Sequence, residues 1–423
     1  MLDASVVASL SFAALLLVAF SVQCLLMTRQ IRHVQAHRNE VPERFSDAVD
    51  LPAHQKAADY TVAKTKASIL ELAFGTGVVL SWTLLGGLES LNQFTLQLLE
   101  PGMGQQLVLI ALFVLLGTGV ELPWSAWQTF GVETRYGFNH STVGMWLTDQ
   151  IKSAIVGLVL MLPVAALGLW VLSAAGSWGW LCIWLLLMMF GLVMMVVAPL
   201  WIAPLFNQFQ PLSDTLLAEQ VSALMLRCGF HSSGVFVMDG SRRSAHANAY
   251  FTGLGRSKRV VLYDTLLKQL STQELEAVLA HELGHFHHKH IIKRMAGMAL
   301  QMLIGVLLLG WLSSQTWFYS GLGVTPPLLG DQPAMAALLF LLAAPVVSVW
   351  LSPLQAAWSR RHEFEADAYA AAHTSGTALQ SALVKLHRDN ASTLTPDPIY
   401  AGFHHSHPTV LDRVTHLEPE WVG

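Results

Sequence analysis

The stretch STQELEAVLAHELGHFHHKH (271–290) reads as a helix from its first residue. Ser271 followed three positions later by Glu274 is a capping-box pattern. Leu275, Val278 and Leu279 recur at helical spacing and form a buried stripe. Inside this helix lies HELGH (281–285), an HExxH motif. Residues i and i+4 sit one turn apart on one face, so the imidazoles of His281 and His285 can reach a single ion. Glu282 lies on the adjacent edge, where a carboxylate serves as general base toward water at that ion. No proline separates this helix from an apolar run that begins near residue 295, so it is expected to continue straight into a bilayer.

Composition outside the helix is that of a membrane protein. Of 423 residues, 53% are hydrophobic and 12% charged, where soluble domains carry about 25% charged residues. The net charge of -4 argues against nucleic acid or any other polyanionic partner. A spanning helix needs about 20 mostly apolar residues. Seven stretches qualify: 5–26, 67–88, 106–124, 153–174, 178–202, 295–314 and 334–356. The first lacks a basic leader and a small-residue cleavage site, so it reads as a retained helix. Seven crossings put the termini on opposite sides. All 24 Lys and Arg then fall within 27–66, 125–152, 203–294 and 357–423. Basic residues favour the cytoplasmic side, so the N-terminus is expected outside and the long polar segments with the C-terminus in the cytoplasm. Glu71 and Glu121 are the main ionisable groups within the spans. They are read equally as helix–helix hydrogen-bonding groups or as cavity lining.

Four parts follow: spans one to five (1–202), a polar segment (203–294), spans six and seven (295–356) and a polar C-terminal segment (357–423). In the second part, 213–229 reads as a helix capped by Ser213. GVFVMDG (234–240), SAHANAYFTGLG (244–255) and RVVLYDTLL (259–267) read as extended pieces of a small sheet. Cys24, Cys182 and Cys228 are widely spaced and form no CxxC, which excludes a thiolate metal site and a disulfide framework.

Two histidines and a glutamate do not complete a metal site. The metzincin pattern is excluded because its glycine and third histidine positions hold His288 and Ile291. SRRHEFEADAYAAA (359–372), directly after the last span, offers Glu363 as third ligand. Asp367, at i+4 from it, can hydrogen-bond the free ring nitrogen of a ligand histidine. Glu365 points about 200° around the helix from Glu363 and competes with it. His287, His288 and His290 read as solvated or headgroup-facing residues.

Together these stretches resemble the type I CAAX prenyl proteases, integral-membrane zinc endopeptidases. HELGH (281–285) is similar to that family's zinc helix, and SRRHEFEADAYA (359–370) to its third-ligand segment. The resemblance implies His281, His285 and Glu363 as ligands of one Zn2+ per chain, with Glu282 catalytic and Asp367 behind the ligands. SRRSAHANAYFTGLGRSKRVVLYDTLL (241–267) is similar to the stretch that carries an edge strand beside the cleft, which implies that Asn248 and Ala249 contact the substrate backbone. SHPTVLDRV (406–414) is similar to a segment whose histidine and arginine line the active site, implying His407 and Arg413. A water-filled chamber faced by the zinc site is implied likewise. The fold class expected is mainly α: a seven-transmembrane-helix bundle with a gluzincin-like cytoplasmic zinc-protease region containing a small β-sheet. The expected partners are the lipid bilayer and a peptide or protein substrate, prenylated at a C-a-a-X end or membrane-associated; a monomer is compatible with the sequence, which does not give the oligomeric state. The short chain and the compact 203–294 segment suggest a bacterial member in the inner membrane.

Other classes fit less well. A transporter would place histidines and carboxylates near the midplane of its spans, and these spans contain no histidine. A structural zinc scaffold would be closed by four ligands, and three are evident. An intramembrane protease would carry HExxH inside a span. A quality-control metalloprotease without prenyl specificity remains the alternative enzyme reading.

Overall fold

The computed structural model describes residues 3–230, 234–252, 259–327 and 332–418. Among the described residues, six helices are long and apolar enough to cross a membrane: Ala4–Ala36, Met103–Tyr136, Val143–Ala174, Gly179–Phe206, His290–Ser313 and Pro333–His373. Leu51–Trp82 and Gly87–Leu98 pass the same test as a pair bent by 49°, which makes seven if the pair is one crossing. Gly86 sits at the bend with φ +78, a conformation that glycine adopts freely. Gly323 packs on the bend, and a side chain there would collide with the Thr83 carbonyl.

The helices outrun the apolar windows that reveal them. The first has 33 residues, or roughly 50 Å at 1.5 Å per residue, against a hydrocarbon core of about 30 Å. Much of the polar segment 27–66 is therefore helix, not loop. Asp50 starts its second helix by accepting from the Ala53 backbone N–H. Several polar groups within the bundle are paired: Gln105 Nε2 donates to Asn92 Oδ1 at 3.0 Å and Thr95 Oγ1 at 2.8 Å. Gln128 Nε2 donates to Glu71 Oε2 at 3.1 Å, the helix–helix role considered for that carboxylate. Leu17, Trp178 and Trp201 stay mostly exposed, as side chains solvated by lipid should be. The three cysteines are free.

The polar segments form one core. A four-stranded sheet runs β1 (Phe209–Pro211), β2 (Val235–Met238), β4 (Arg259–Tyr263) and β3 (Ala249–Thr252) in spatial order. β2 and β4 are parallel; the outer pairs are antiparallel. The three expected strands are present, and β1 is an addition that the short stretch before the helix did not betray. The expected Gly-rich turn at 253–255 lies outside the described residues. The helix read over 213–229 spans Thr215–Arg227 and is capped by Asp214, not Ser213. Its Leu224 and Met225, with Val260 and Leu262 of β4, pack against Leu275, Leu279 and Leu283 of the motif helix Thr272–His287.

That motif helix lies along Ser352–His373, the helix bearing the carboxylates, and Gly284 is where they meet. A Cβ at Gly284 would sit 3.0 Å from Ala366 Cα and 3.1 Å from its carbonyl oxygen. The glycine inside HELGH is therefore a packing requirement. The motif helix does not continue into the bilayer as its uninterrupted sequence suggested. It ends at His287, Lys289 takes φ +56, and a new helix starts at His290. A left-handed lysine disrupts the hydrogen-bond ladder as a proline would.

The capping box is formed as expected. Glu274 does more than cap: Ser381 Oγ donates to it at 2.6 Å and the Lys385 ammonium at 2.8 Å. Burial alone would raise its carboxyl, but Lys385, Ser381 and Ser271 outweigh burial and bring it to about 2. A depressed carboxylate contributes stability above its unfolded pKa, and that contribution fades as pH falls toward the folded one. Glu274→Gln should therefore lower the thermal midpoint in detergent most at neutral pH, by the equivalent of about 1–3 kcal/mol. The gap to wild type should shrink progressively below pH 4.5. Thermal scans of both proteins between pH 7 and pH 3 check this, and a gap independent of pH would contradict it.

Candidate active site

The motif helix and the carboxylate helix together bring three donor groups to one point. His281 Nε2 lies 3.4 Å from Glu363 Oε2, and His285 Nε2 lies 3.4 Å from Glu363 Oε1. One donor atom from each of the three residues falls within 4.8 Å of the others. Bonds of about 2.0–2.1 Å at tetrahedral angles require donors roughly 3.4 Å apart. Glu363 is 1% exposed, yet its Oε2 has no hydrogen bond. A buried carboxylate oxygen without a partner is costly, and a cation between these donors would satisfy it.

Charge points the same way. Glu282, Glu363 and Asp367 face one buried guanidinium, that of Arg413. These carboxylates carry more negative charge than Arg413 neutralises, and half-exposed Arg294, 4.0 Å from Glu363 Oε1, offsets it only in part. A metal cation fits this balance.

His281 is oriented from behind. Its Nδ1 lies 2.8 Å from Asp367 Oδ1, leaving Nε2 toward Glu363. Arg413 grips Asp367 with both arms, Nε to Oδ2 at 2.8 Å and Nη2 to Oδ1 at 2.6 Å. Burial would lower the His281 imidazole, but the adjacent carboxylates of Asp367 and Glu363 outweigh burial and raise it to about 9. Burial and the neighbouring His281 push His285 down to about 3. Burial also raises Glu282 above the usual carboxylate range.

The cavity over these groups measures about 820 Å3. Asn248, Ala249, His281, Glu282, His285, Glu363, His407 and Arg413 all line it. His407 Nε2 lies 3.5 Å from Glu363 Oε1, and its ring is open to the cavity. Asp367 is fully buried behind His281. Arg413 is buried on Asp367, a place its sequence position did not reveal.

β3 borders the cavity as an edge strand: among the described residues no strand pairs with its outer side. The Tyr263 N–H donates to the Asn248 carbonyl at 3.0 Å, so that residue faces β4. Backbone groups alternate along a strand, so the N–H and carbonyl of Ala249 face outward, where the N–H donates to the Asn248 side-chain Oδ1 at 2.9 Å, the bond an incoming substrate carbonyl would replace. Tyr60 and His246 line the same cavity; Tyr60 donates to Glu133 at 2.7 Å, and His246 stacks on Phe138 with centroids 4.4 Å apart.

Three neighbours of the site were not legible as such. Arg294 follows the motif by nine residues and reads as an ordinary juxtamembrane charge. His290 is not a solvated histidine: it is 1% exposed, and its Nδ1 lies 2.9 Å from His285 Nδ1. Glu365 does not compete with Glu363 but accepts from His290 Nε2 at 2.9 Å. The helix break at Lys289, which no local sequence signal announced, creates both contacts.

Residues 30–208 match a family domain described as "CAAX prenyl protease N-terminal, five membrane helices", and residues 211–420 match "Peptidase family M48". "CAAX prenyl protease 1" of Saccharomyces cerevisiae is 32% identical over 427 residues, covering 94% of this chain and 92% of that protein. The "CAAX prenyl protease 1 homolog" of Homo sapiens is 30% identical over 461 residues, covering 96% and 95%. A crystal structure of S. mikatae Ste24p superposes with a TM-score of 0.91 at 32% identity, covering 97% of this chain and 99% of that one. With both halves of the chain matched and the helical bundle reproduced, this protein belongs to the CAAX prenyl protease family within peptidase family M48 and is a multi-pass membrane metalloendopeptidase.

Proposed function

We propose that the metal is zinc, held by His281, His285 and Glu363, and that the enzyme hydrolyses peptide bonds of membrane-associated proteins, C-a-a-X prenylated chains among them. The observation that carries this reading is the convergence of His281 and His285 on the two oxygens of Glu363, each pair 3.4 Å apart, with one of those oxygens buried and unpartnered and Glu282 beside them. Zinc bound there supplies Lewis-acid chemistry, acidifying water and polarising the scissile carbonyl.

The chain's own residues do the rest. Glu282 accepts the proton of the attacking water and delivers it to the leaving nitrogen, a role suited to a carboxyl raised by burial. His407 donates from Nε2 to the oxyanion that develops at the carbonyl. Arg413 supports Asp367 through Nε and Nη2, while the residue also lines the substrate cavity. The substrate lies extended along β3 and pairs with the outward N–H and carbonyl of Ala249, while Asn248 flanks it. Pairing of that kind reads backbone, so side-chain selectivity is loose.

Location supports the substrate class. A helix apolar enough to span begins at His290, five residues beyond His285. The site thus adjoins the bilayer although the helix is broken, and a lipid-tethered end can remain in the membrane while its peptide reaches β3. Counting the bent pair as one crossing keeps every Lys and Arg on the side of the site, which favours a cytoplasmic active site and an outer N-terminus. The compact 203–294 segment favours a bacterial inner membrane. Chain length does not bear on it, since eukaryotic relatives are covered over 92–95% of their own length.

Glu282→Gln should keep about one zinc per chain and lose activity by about 10²–10⁴-fold. Purified wild type and variant, assayed on a farnesylated C-a-a-X peptide and its unprenylated twin, test chemistry and substrate class together. A variant as active as wild type would remove Glu282 from the mechanism, and equal rates on the two peptides would remove prenyl selectivity.

Ala249→Pro deletes an outward N–H from an edge strand, where proline is tolerated. It should reduce kcat/KM about tenfold, one hydrogen bond's worth, with zinc content unchanged. Unaltered kcat/KM would show that substrate does not pair with β3 there.

A further inference from the structure

Asp367 orients His281. The other ligand histidine, His285, is oriented by a different device built from residues that do not touch the substrate cavity. In an uninterrupted helix, His290 would stand five positions beyond His285, about 140° away around the axis. The break at Lys289, φ +56, turns the chain so that the first residue of the next helix folds back over the motif. His290 Nδ1 then lies 2.9 Å from His285 Nδ1, and His290 Nε2 lies 2.9 Å from Glu365 Oε2.

These two contacts fix the protons. Glu365 is a carboxylate, which Arg361 also holds through Nε to Oε1 at 3.3 Å, so His290 Nε2 carries the hydrogen and donates. In a neutral imidazole the other nitrogen is then an acceptor. His290 Nδ1 therefore receives the hydrogen of His285 Nδ1, and His285 Nε2 is left with its lone pair toward Glu363. His290 is held in plane for this task. His362, itself buried, stacks on it with centroids 4.0 Å apart and rings inclined by 12°.

We propose that His290, anchored by Glu365, is the positioning residue of His285: it selects the tautomer that presents Nε2 and thereby sets the affinity of the metal site. This rests on reading His281, His285 and Glu363 as metal ligands. Partners one step behind a ligand histidine commonly change metal affinity by about 10–100-fold. Here the step runs through a second imidazole before it reaches a carboxylate.

The test measures zinc affinity, by competition with a calibrated chelator, on detergent-purified full-length protein. Each protein's metal-free thermal midpoint is recorded alongside. His290→Phe keeps a flat ring for stacking and removes the acceptor. His290→Asn restores an acceptor oxygen. Glu365→Gln, at a partly exposed position that tolerates change, removes the anchoring charge. We expect zinc to bind about 10–100-fold more weakly to His290→Phe. Affinity should be largely recovered in His290→Asn and moderately reduced in Glu365→Gln, with similar metal-free midpoints for the two His290 variants. Affinity equal to wild type in both His290→Phe and Glu365→Gln would overturn the proposal. So would equal losses in His290→Phe and His290→Asn, which mark a packing role alone. If His290→Phe does not fold, unchanged affinity in Glu365→Gln overturns it by itself. Wild type that binds no zinc would sink the metal-site reading first, a distinct result from wild type that binds and variants that match it.

Discussion

The close approach of two helices at Gly284 and Ala366 is the constraint on which the site depends. Two helices with ordinary side chains at their contact stand 8–10 Å apart. Here one side of the contact has no side chain at all, and a single methyl group would press on the opposing backbone at about 3.0 Å. That closeness lets Glu363, one helix turn before Ala366, reach between two histidines on the neighbouring helix. It lets Asp367, one residue beyond, reach the far nitrogen of His281. The spacing within each motif would be idle without the spacing between them. The sheet and the Leu275–Leu279–Leu283 stripe clamp the motif helix from its other side, so the approach is enforced by the core.

Holding these carboxylates together carries an electrostatic cost that the fold must offset. Asp367 is fully buried, and it is stable there because Arg413 binds both its oxygens and His281 a third time. Breaking a buried pair of this kind by removing one partner typically costs 3–5 kcal/mol. Arg413 enters on a short helix near the C-terminus, Val410–His416, which the Thr409–Asp412 capping box starts. The last polar segment is thus part of the site's foundation. Glu363 is the opposite case: one of its oxygens is left unpaired among neighbours that point at it without bonding it. Asp367 is built as a finished structural contact, Glu363 as an unfinished one, and the contrast accords with the proposed roles, Asp367 orienting and Glu363 binding.

Much of this was legible because its signals are periodic or local. Apolar runs announce spans, Val-rich runs announce strands, and i, i+4 spacing on two helices announces the His281–His285–Glu363 cluster and the Asp367 carboxylate behind it. What was hidden is what depends on departures from regularity. Nothing in FHHKH marks Lys289 as left-handed, since no glycine, asparagine or proline stands there, so the helix appeared continuous and His290 appeared to face solvent. Once that turn was missed, Glu365 had no partner and looked like a rival of Glu363. The bend at 83–86 was obscured similarly, because two helices joined by a short apolar turn have the composition of one. Arg413's grip on Asp367 joins segments 46 residues apart in sequence, a pairing that no local pattern records.

The two histidines end up supported unequally, and the inequality follows from where the membrane begins. His281 faces the interior of the polar domain, where a carboxylate and an arginine from two other elements can surround it. His285 is one turn nearer the bilayer, at the end of its helix, where the next residues must already commit to a span. A second buried carboxylate–arginine pair in that position would have to be desolvated beside lipid, at several kcal/mol per ion. A neutral imidazole carries the same directional information without a formal charge, and it passes the negative end of the interaction outward to Glu365, which remains 30% exposed beside Arg361. On the proposed reading, the broken helix gives His285 an orienting partner while the charge that anchors it, on Glu365, stays in contact with water.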